Sequence, residues 1–112
     1  MNITQLNREP FEQLLLPNAE AKVTGAYTSD LLSDVMGHAP DDSVLITIQA
    51  HKNTVAVATL AGINAVMLCN SRPVPDDMIE AAREEGIALF RTPENQFQTS
   101  VRIQKLLEQS AS

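Results

Sequence analysis

The sequence predicts an α/β domain with a mostly parallel sheet of four to five strands, built from repeated βα units in a three-layer-like arrangement. Three observations predict it. Apolar, partly β-branched runs begin near residues 23, 43, 64 and 87, about twenty residues apart. A helical pattern follows each run, which is the signature of parallel strands joined by crossovers. The runs over residues 43–49 and 64–69 are apolar almost throughout, as strands buried on both faces are.

The elements follow in order. Residues 1–19 read as an N-terminal extension packing on the domain, with 11–16 ambiguous between a strand and a helical turn until Pro17-Asn18 ends it. Residues 23–27 are a short strand. Leu31, Leu32, Val35 and Met36 then recur at helical spacing. Thr28 or Ser29 is the expected cap of that helix, Asp30 sits in its favourable first turn, and Gly37 is its expected stop. Strand 43–49 leads through the polar turn His51-Lys-Asn-Thr54, with Asn53 as a candidate cap, into a small-residue helix over 55–61 that Gly62 closes. After strand 64–69, Pro75 is the expected first helical position, with Asp76 and Asp77 in the first turn and Gly86 as the stop. Met78, Ile79 and Ala82 face inward. Strand 87–90 precedes a last helix, with Thr92-Pro93-Glu94 as its expected cap and Phe97, Val101 and Leu107 among its expected buried side chains. The domain so read covers residues 20–108, and 109–112 is a polar tail.

Composition narrows the function. At 112 residues the chain is one domain on length, large enough to bury roughly two thirds of its unfolded surface. A net charge of −6 opposes binding to a nucleic-acid backbone or an anionic membrane. Apolar runs are too short to span a bilayer, and the first residues lack a basic-then-apolar signal pattern. The single cysteine, Cys69, rules out an internal disulfide and suits a reducing cytoplasm. The sequence contains neither the phosphate-cradling Gly-x-x-x-x-Gly-Lys-Ser/Thr loop, the dinucleotide fingerprint Gly-x-Gly-x-x-Gly, nor the Gly-x-Ser-x-Gly elbow. His38, His51 and Cys69 lie in separate segments without ligand spacing, so no metal or cofactor is expected.

What remains is polar. Right-handed crossovers place every βα turn at one edge of the sheet. There a candidate ligand site comprises Thr28, Ser29, Asp30, Gln49, His51, Asn53 and Arg72. Helix starts present uncommitted amide hydrogens, and His51 and Arg72 add donors for an acidic ligand group. Asp30 opposes a bare anion, so a ligand that also carries hydroxyls or amines, such as a nucleotide, fits better. Read more simply, Thr28 to Asp30 and Asn53 are helix caps and Arg72 is a solvated loop residue. No nucleophile–base–orienter arrangement accompanies His51 or Asp30, and no catalysis is expected.

Several stretches carry a family resemblance. Ala26-Tyr-Thr-Ser-Asp-Leu-Leu-Ser-Asp-Val-Met36, Leu45-Ile-Thr-Ile-Gln-Ala-His51 and Val55-Ala-Val-Ala58 resemble stand-alone DRTGG domain proteins. Asn64-Ala-Val-Met67, Arg72-Pro-Val-Pro75 and Gly86-Ile-Ala-Leu-Phe-Arg-Thr92 continue the likeness, which covers roughly residues 20–108. The resemblance implies a regulatory, ligand-binding or associating module. Such domains accompany the catalytic domains of some phosphotransacetylases, sit between CBS modules of some inorganic pyrophosphatases, and are similar to the N-terminal domain of HPr kinase/phosphorylase. Short versions are often encoded near iron-only hydrogenases. The resemblance therefore implies a homodimer acting on a partner enzyme, which would be a hydrogenase or related redox complex. The alternative is a purely structural dimeric protein without a ligand. The namesake motif departs here: His51-Lys52 stands at the Asp-Arg position and Asn70-Ser71-Arg72 at the Thr-Gly-Gly position. The kinase's nucleotide loop is missing.

Overall fold

Alternating apolar runs and amphipathic segments fold around one five-stranded sheet, which the computed structural model describes over residues 1–111. The strands are β1 (Glu12–Leu15), β2 (Gly25–Thr28), β3 (Ser43–Thr47), β4 (Ile63–Leu68) and β5 (Ala88–Arg91), in the order β1-β5-β4-β3-β2. Strands β2 to β5 are parallel, as the βα spacing requires. The sheet is nevertheless mixed, because β1 runs antiparallel to β5. The ambiguous run at 11–16 is thus an edge strand, and Arg91 reaches across the pair to Glu12 at 3.0 Å.

The helices are α1 (Leu32–His38), α2 (Lys52–Ala61), α3 (Asp76–Glu85) and α4 (Gln96–Ala111). Because β2 to β5 advance in one direction, their right-handed crossovers put α1, α2 and α3 on the same face. Val35, Val55, Ala58, Met78 and Ala82 there meet Leu45, Val66, Leu68 and Leu89. After β5 no parallel strand follows, and α4 covers the opposite face. Ile103 and Leu106 pack there with Val44, Ile46, Met67 and Phe90, joined by Ile3, Leu6, Phe11 and Val23 from the N-terminal part of the chain.

Two glycine stops hold. Gly62 has φ 75°, a left-handed backbone that favours glycine, and a Cβ there would come within 2.5 Å of the exposed Asp41 carboxylate, which would have to shift. Gly86 ends α3 in the same left-handed conformation. Gly37 does not end α1. The helix continues to His38 and stops at Ala39, whose extended backbone is what the following Pro40 imposes. Pro75 stands just before α3 rather than inside its first turn.

The last helix departs further from expectation. Its cap is Asn95, not Thr92 to Glu94: Asn95 Oδ1 accepts from the Gln98 N–H at 2.8 Å, and Gln98 Oε1 accepts from the Asn95 N–H at 3.1 Å. Thr99, Ile103 and Leu106 form the buried face. Phe97 and Val101 lie two residues out of phase with that face and are 77% and 40% exposed, against the expectation of burial. The polar tail expected over 109–112 is helical to residue 111, and residue 112 lies outside the described residues.

Candidate functional site

All four βα turns lie along one edge of the parallel strands, in the spatial order set by β2, β3, β4 and β5. Consecutive turns are therefore neighbours, and each is tied to the next. The Ser29 N–H donates to Ile46 O, Cys69 N–H to Thr47 O, and Thr92 N–H to Leu68 O. The ladder is thereby extended past the strand ends.

Asp30 is the junction of this edge. It was expected in the first turn of α1, but α1 starts at Leu32, with Leu31 before it and no side-chain cap. The Asp30 carboxylate points instead toward β3. Its Oδ1 accepts from Thr47 Oγ1 at 2.8 Å, from the Ile48 N–H at 2.9 Å and from Gln96 Nε2 at 3.1 Å. Its carbonyl accepts from Gln49 Nε2 at 3.0 Å. Thr47 is fully buried, so the carboxylate satisfies a hydroxyl that water cannot reach. Three charge-assisted bonds outweigh the benefit of placing a carboxylate near a helix dipole.

The neighbours of Asp30 are also committed. Thr28 Oγ1 pairs with Ser100 Oγ of α4 at 2.7 Å. Ser29 Oγ accepts from the Leu31 N–H at 3.2 Å, so neither residue caps the helix amides as expected. Gln49 is exposed, but its side chain is engaged with the Asp30 carbonyl. The cap of α2 is His51 rather than Asn53: His51 Nδ1 accepts from the Asn53 N–H at 3.0 Å. That acceptor role puts the ring proton of neutral His51 on Nε2, which faces no protein partner among the described residues. Asn53 lies apart from the rest, lining a hollow of about 230 Å³ between α2 and α3 with Lys52, Ala81 and Glu84.

The turn after β4 is of a different kind. Asn70 and Ser71 both have positive φ, 60° and 50°. Their N–H groups donate to Glu94 O at 3.0 Å and Thr92 O at 2.9 Å, which locks the turn against the one after β5. Asn tolerates the left-handed region and Ser does so at a cost. Arg72 follows, exposed and without an ion pair or hydrogen bond among the described residues. Arg102, by contrast, is held by Glu94 at 2.7 Å, and this guanidinium keeps the Glu94 carboxyl below the usual carboxylate range.

Cys69 ends the apolar run beneath this turn and is fully buried. Burial pushes its thiol up, and the nearby Asp30 and Glu94 charges add to this against the hydrogen bond to Thr99. It is a core side chain rather than a nucleophile. Among the described residues, no group of three His, Cys, Asp or Glu side chains is arranged to hold a metal ion.

The family model of the DRTGG domain matches residues 15–106. The chain belongs to the DRTGG domain family. The match spans β2 to β5 and every turn of the carboxyl edge. DRTGG is a regulatory, non-catalytic domain family. No curated protein matches the chain. Asn70 and Ser71 are consecutive positive-φ residues, and glycine would suit that backbone at Ser71.

Sequence reasoning missed Thr47, Gln96 and Ser100. The only trace of the last two is their i, i+4 spacing on α4, and that pattern alone does not say what they face.

Proposed function

We propose that this DRTGG protein is a non-catalytic regulatory module that binds a small polar metabolite or nucleotide at the carboxyl edge of its sheet. It acts as a cytoplasmic homodimer on a partner enzyme, for which a hydrogenase or related redox complex is the expected class. The observation that carries the reading is Arg72. It is a guanidinium without a hydrogen bond or ion pair among the described residues, on the turn after β4, which the resemblance sets against the family's Thr-Gly-Gly. A guanidinium suits a carboxylate or phosphate in a planar, bidentate contact. His51 Nε2 adds a donor on the neighbouring turn, and Asp30 Oδ2 is left as an acceptor for a hydroxyl or amine. Such a set favours a ligand with both kinds of group over free phosphate.

A thermal-shift screen of nucleotides, coenzymes and central metabolites tests this. A ligand at about 100 times its Kd stabilises the folded form by about 2.7 kcal/mol, which the melting temperature registers. Replacing Arg72 with Ala should weaken that ligand by about 1–3 kcal/mol. A ligand whose affinity ignores both Arg72→Ala and His51→Ala places the site elsewhere.

A purely structural dimer is the second reading. It is favoured by the position of the surface grooves: two, of about 480 and 470 Å³, run along α4, and neither includes His51 or Arg72. A screen without any stabilising compound, beside a stable dimer, would support it.

A further inference from the structure

We propose that the outer face of α4 is the self-association surface of this chain, two copies pairing antiparallel about a two-fold axis at Val101. This rests on the homodimer reading and assigns its interface. Phe97, Val101 and Lys105 recur at every fourth position and so form one ridge along the helix. Phe97 is the most exposed large apolar side chain of the described residues, at 77%. Grooves of about 480 and 470 Å³ flank the ridge and share these three residues.

The spacing is self-complementary. Phe97 and Lys105 each stand four residues from Val101. An axis at Val101 therefore sets it against the partner's Val101, and Phe97 against the partner's Lys105. The contact occurs twice, as an isologous interface requires. Lys105 makes no ion pair among the described residues, so its ammonium and aliphatic stem are available to an aromatic ring. Charge does not oppose a second copy at this face. At −6, two chains repel over most of their surfaces. Along the two grooves Arg8, Arg102 and Lys105 are matched by Glu9, Glu94 and Glu108, so this face is balanced.

The same helix reaches the carboxyl edge. Gln96 and Ser100, on either side of Phe97 in sequence, bond Asp30 and Thr28. A ligand competing for Asp30 thus acts on the first turn of the helix that carries the ridge.

Sedimentation velocity of the wild type, Phe97→Asp and Leu60→Asp tests the assignment, with thermal melts to confirm folding. Leu60 is a comparably exposed residue on α2, at 74%. The expected result is a wild-type dimer within the range of about 10 µM to 1 mM. Phe97→Asp weakens it more than about tenfold, and Leu60→Asp leaves it unchanged. Val101→Cys should form an inter-chain disulfide on oxidation, because the two copies of that residue meet at the axis. A wild-type monomer throughout the range, a dimer indifferent to Phe97→Asp, or one broken by Leu60→Asp overturns the proposal. A ligand-induced thermal shift that survives in monomeric Phe97→Asp leaves the carboxyl-edge reading standing. Its loss from Arg72→Ala, with the dimer intact, leaves the α4 assignment standing.

Discussion

Asp30 and Arg72 stand on the same edge of the same sheet, one turn after β2 and the other after β4, yet they are used in opposite ways. Asp30 is half-buried and gives one oxygen to three donors from β3, the turn beyond it and α4. Arg72 is exposed and makes no hydrogen bond or ion pair among the described residues. The difference teaches that a polar cluster at strand ends is not a site by composition alone. Buried donors such as the Thr47 hydroxyl claim the nearest acceptor first, and only what is left uncommitted faces a ligand. The Oδ1 side of Asp30 is therefore a structural clasp, and Asp30 Oδ2, His51 Nε2 and Arg72 are the groups left with free valence among the described residues.

Substitutions can break or sharpen this contrast. Asp30→Ala is expected to have the largest effect. It leaves a buried hydroxyl and an N–H without their acceptor and frees the first turn of α4, which should cost about 3 kcal/mol. For a domain of this size that lowers the melting temperature by roughly 10 °C or more, measurable by calorimetry. A loss within about 0.5 kcal/mol would remove the clasp from the account. His51→Ala comes next. It deletes the acceptor that caps α2 and should cost about 1 kcal/mol in urea unfolding, while His51→Asn, which can also cap, should recover most of it. Stability loss in His51→Ala must therefore be separated from any loss of ligand affinity.

Ser71→Gly should stabilise by about 0.5–1 kcal/mol. It relieves a positive φ whose cost for a side chain is about 1–2 kcal/mol, less the extra flexibility glycine gives the unfolded chain. A destabilised Ser71→Gly would show that the serine side chain has a role in the turn. The Glu94–Arg102 pair is smaller still, about 0.5 kcal/mol, because it lies at the surface. Its sign is fixed by the depressed Glu94 carboxyl. The contribution is fully present above the ordinary carboxylate range and is lost as pH falls through the lowered value. The stability gap between wild type and Glu94→Gln should thus close in acid and persist at neutral pH. Arg72→Ala is expected to change stability least, by less than about 0.5 kcal/mol, since the side chain is exposed and makes no hydrogen bond or ion pair among the described residues. A larger loss would make Arg72 part of the fold and remove the reason to place a ligand beside it.

Much of the fold is legible in local chemistry. Gly62 and Gly86 end helices because left-handed backbone favours glycine whatever surrounds it. Residues 43–47 and 63–68 are nearly all buried because a parallel strand with helices on both faces has no side for water. The βα rhythm and the right-handed crossover then fix one face for α1 to α3 and one edge for the turns.

Tertiary structure decided the rest, and the reason is the same at each point. Asp30 carries the sequence signal of a first-turn helix residue, but that placement is worth at most about 1 kcal/mol and a buried donor without an acceptor costs more. Thr47, 17 residues from Asp30 in sequence, therefore took the carboxylate, and nothing local announces that pairing. α4 buries Thr99, Ile103 and Leu106 against the sheet while Gln96 and Ser100 bond Asp30 and Thr28 across more than sixty residues, and that phase leaves Phe97 and Val101 outward. β1 pairs with β5, at the opposite side of the sheet from β2, its neighbour in sequence, and nothing local announces that choice. The sequence by itself determined the periodic elements, their stops and their common edge, since these depend on residues within a turn of one another. Which polar groups on that edge are spent and which are free depended on partners that only the folded chain brings together.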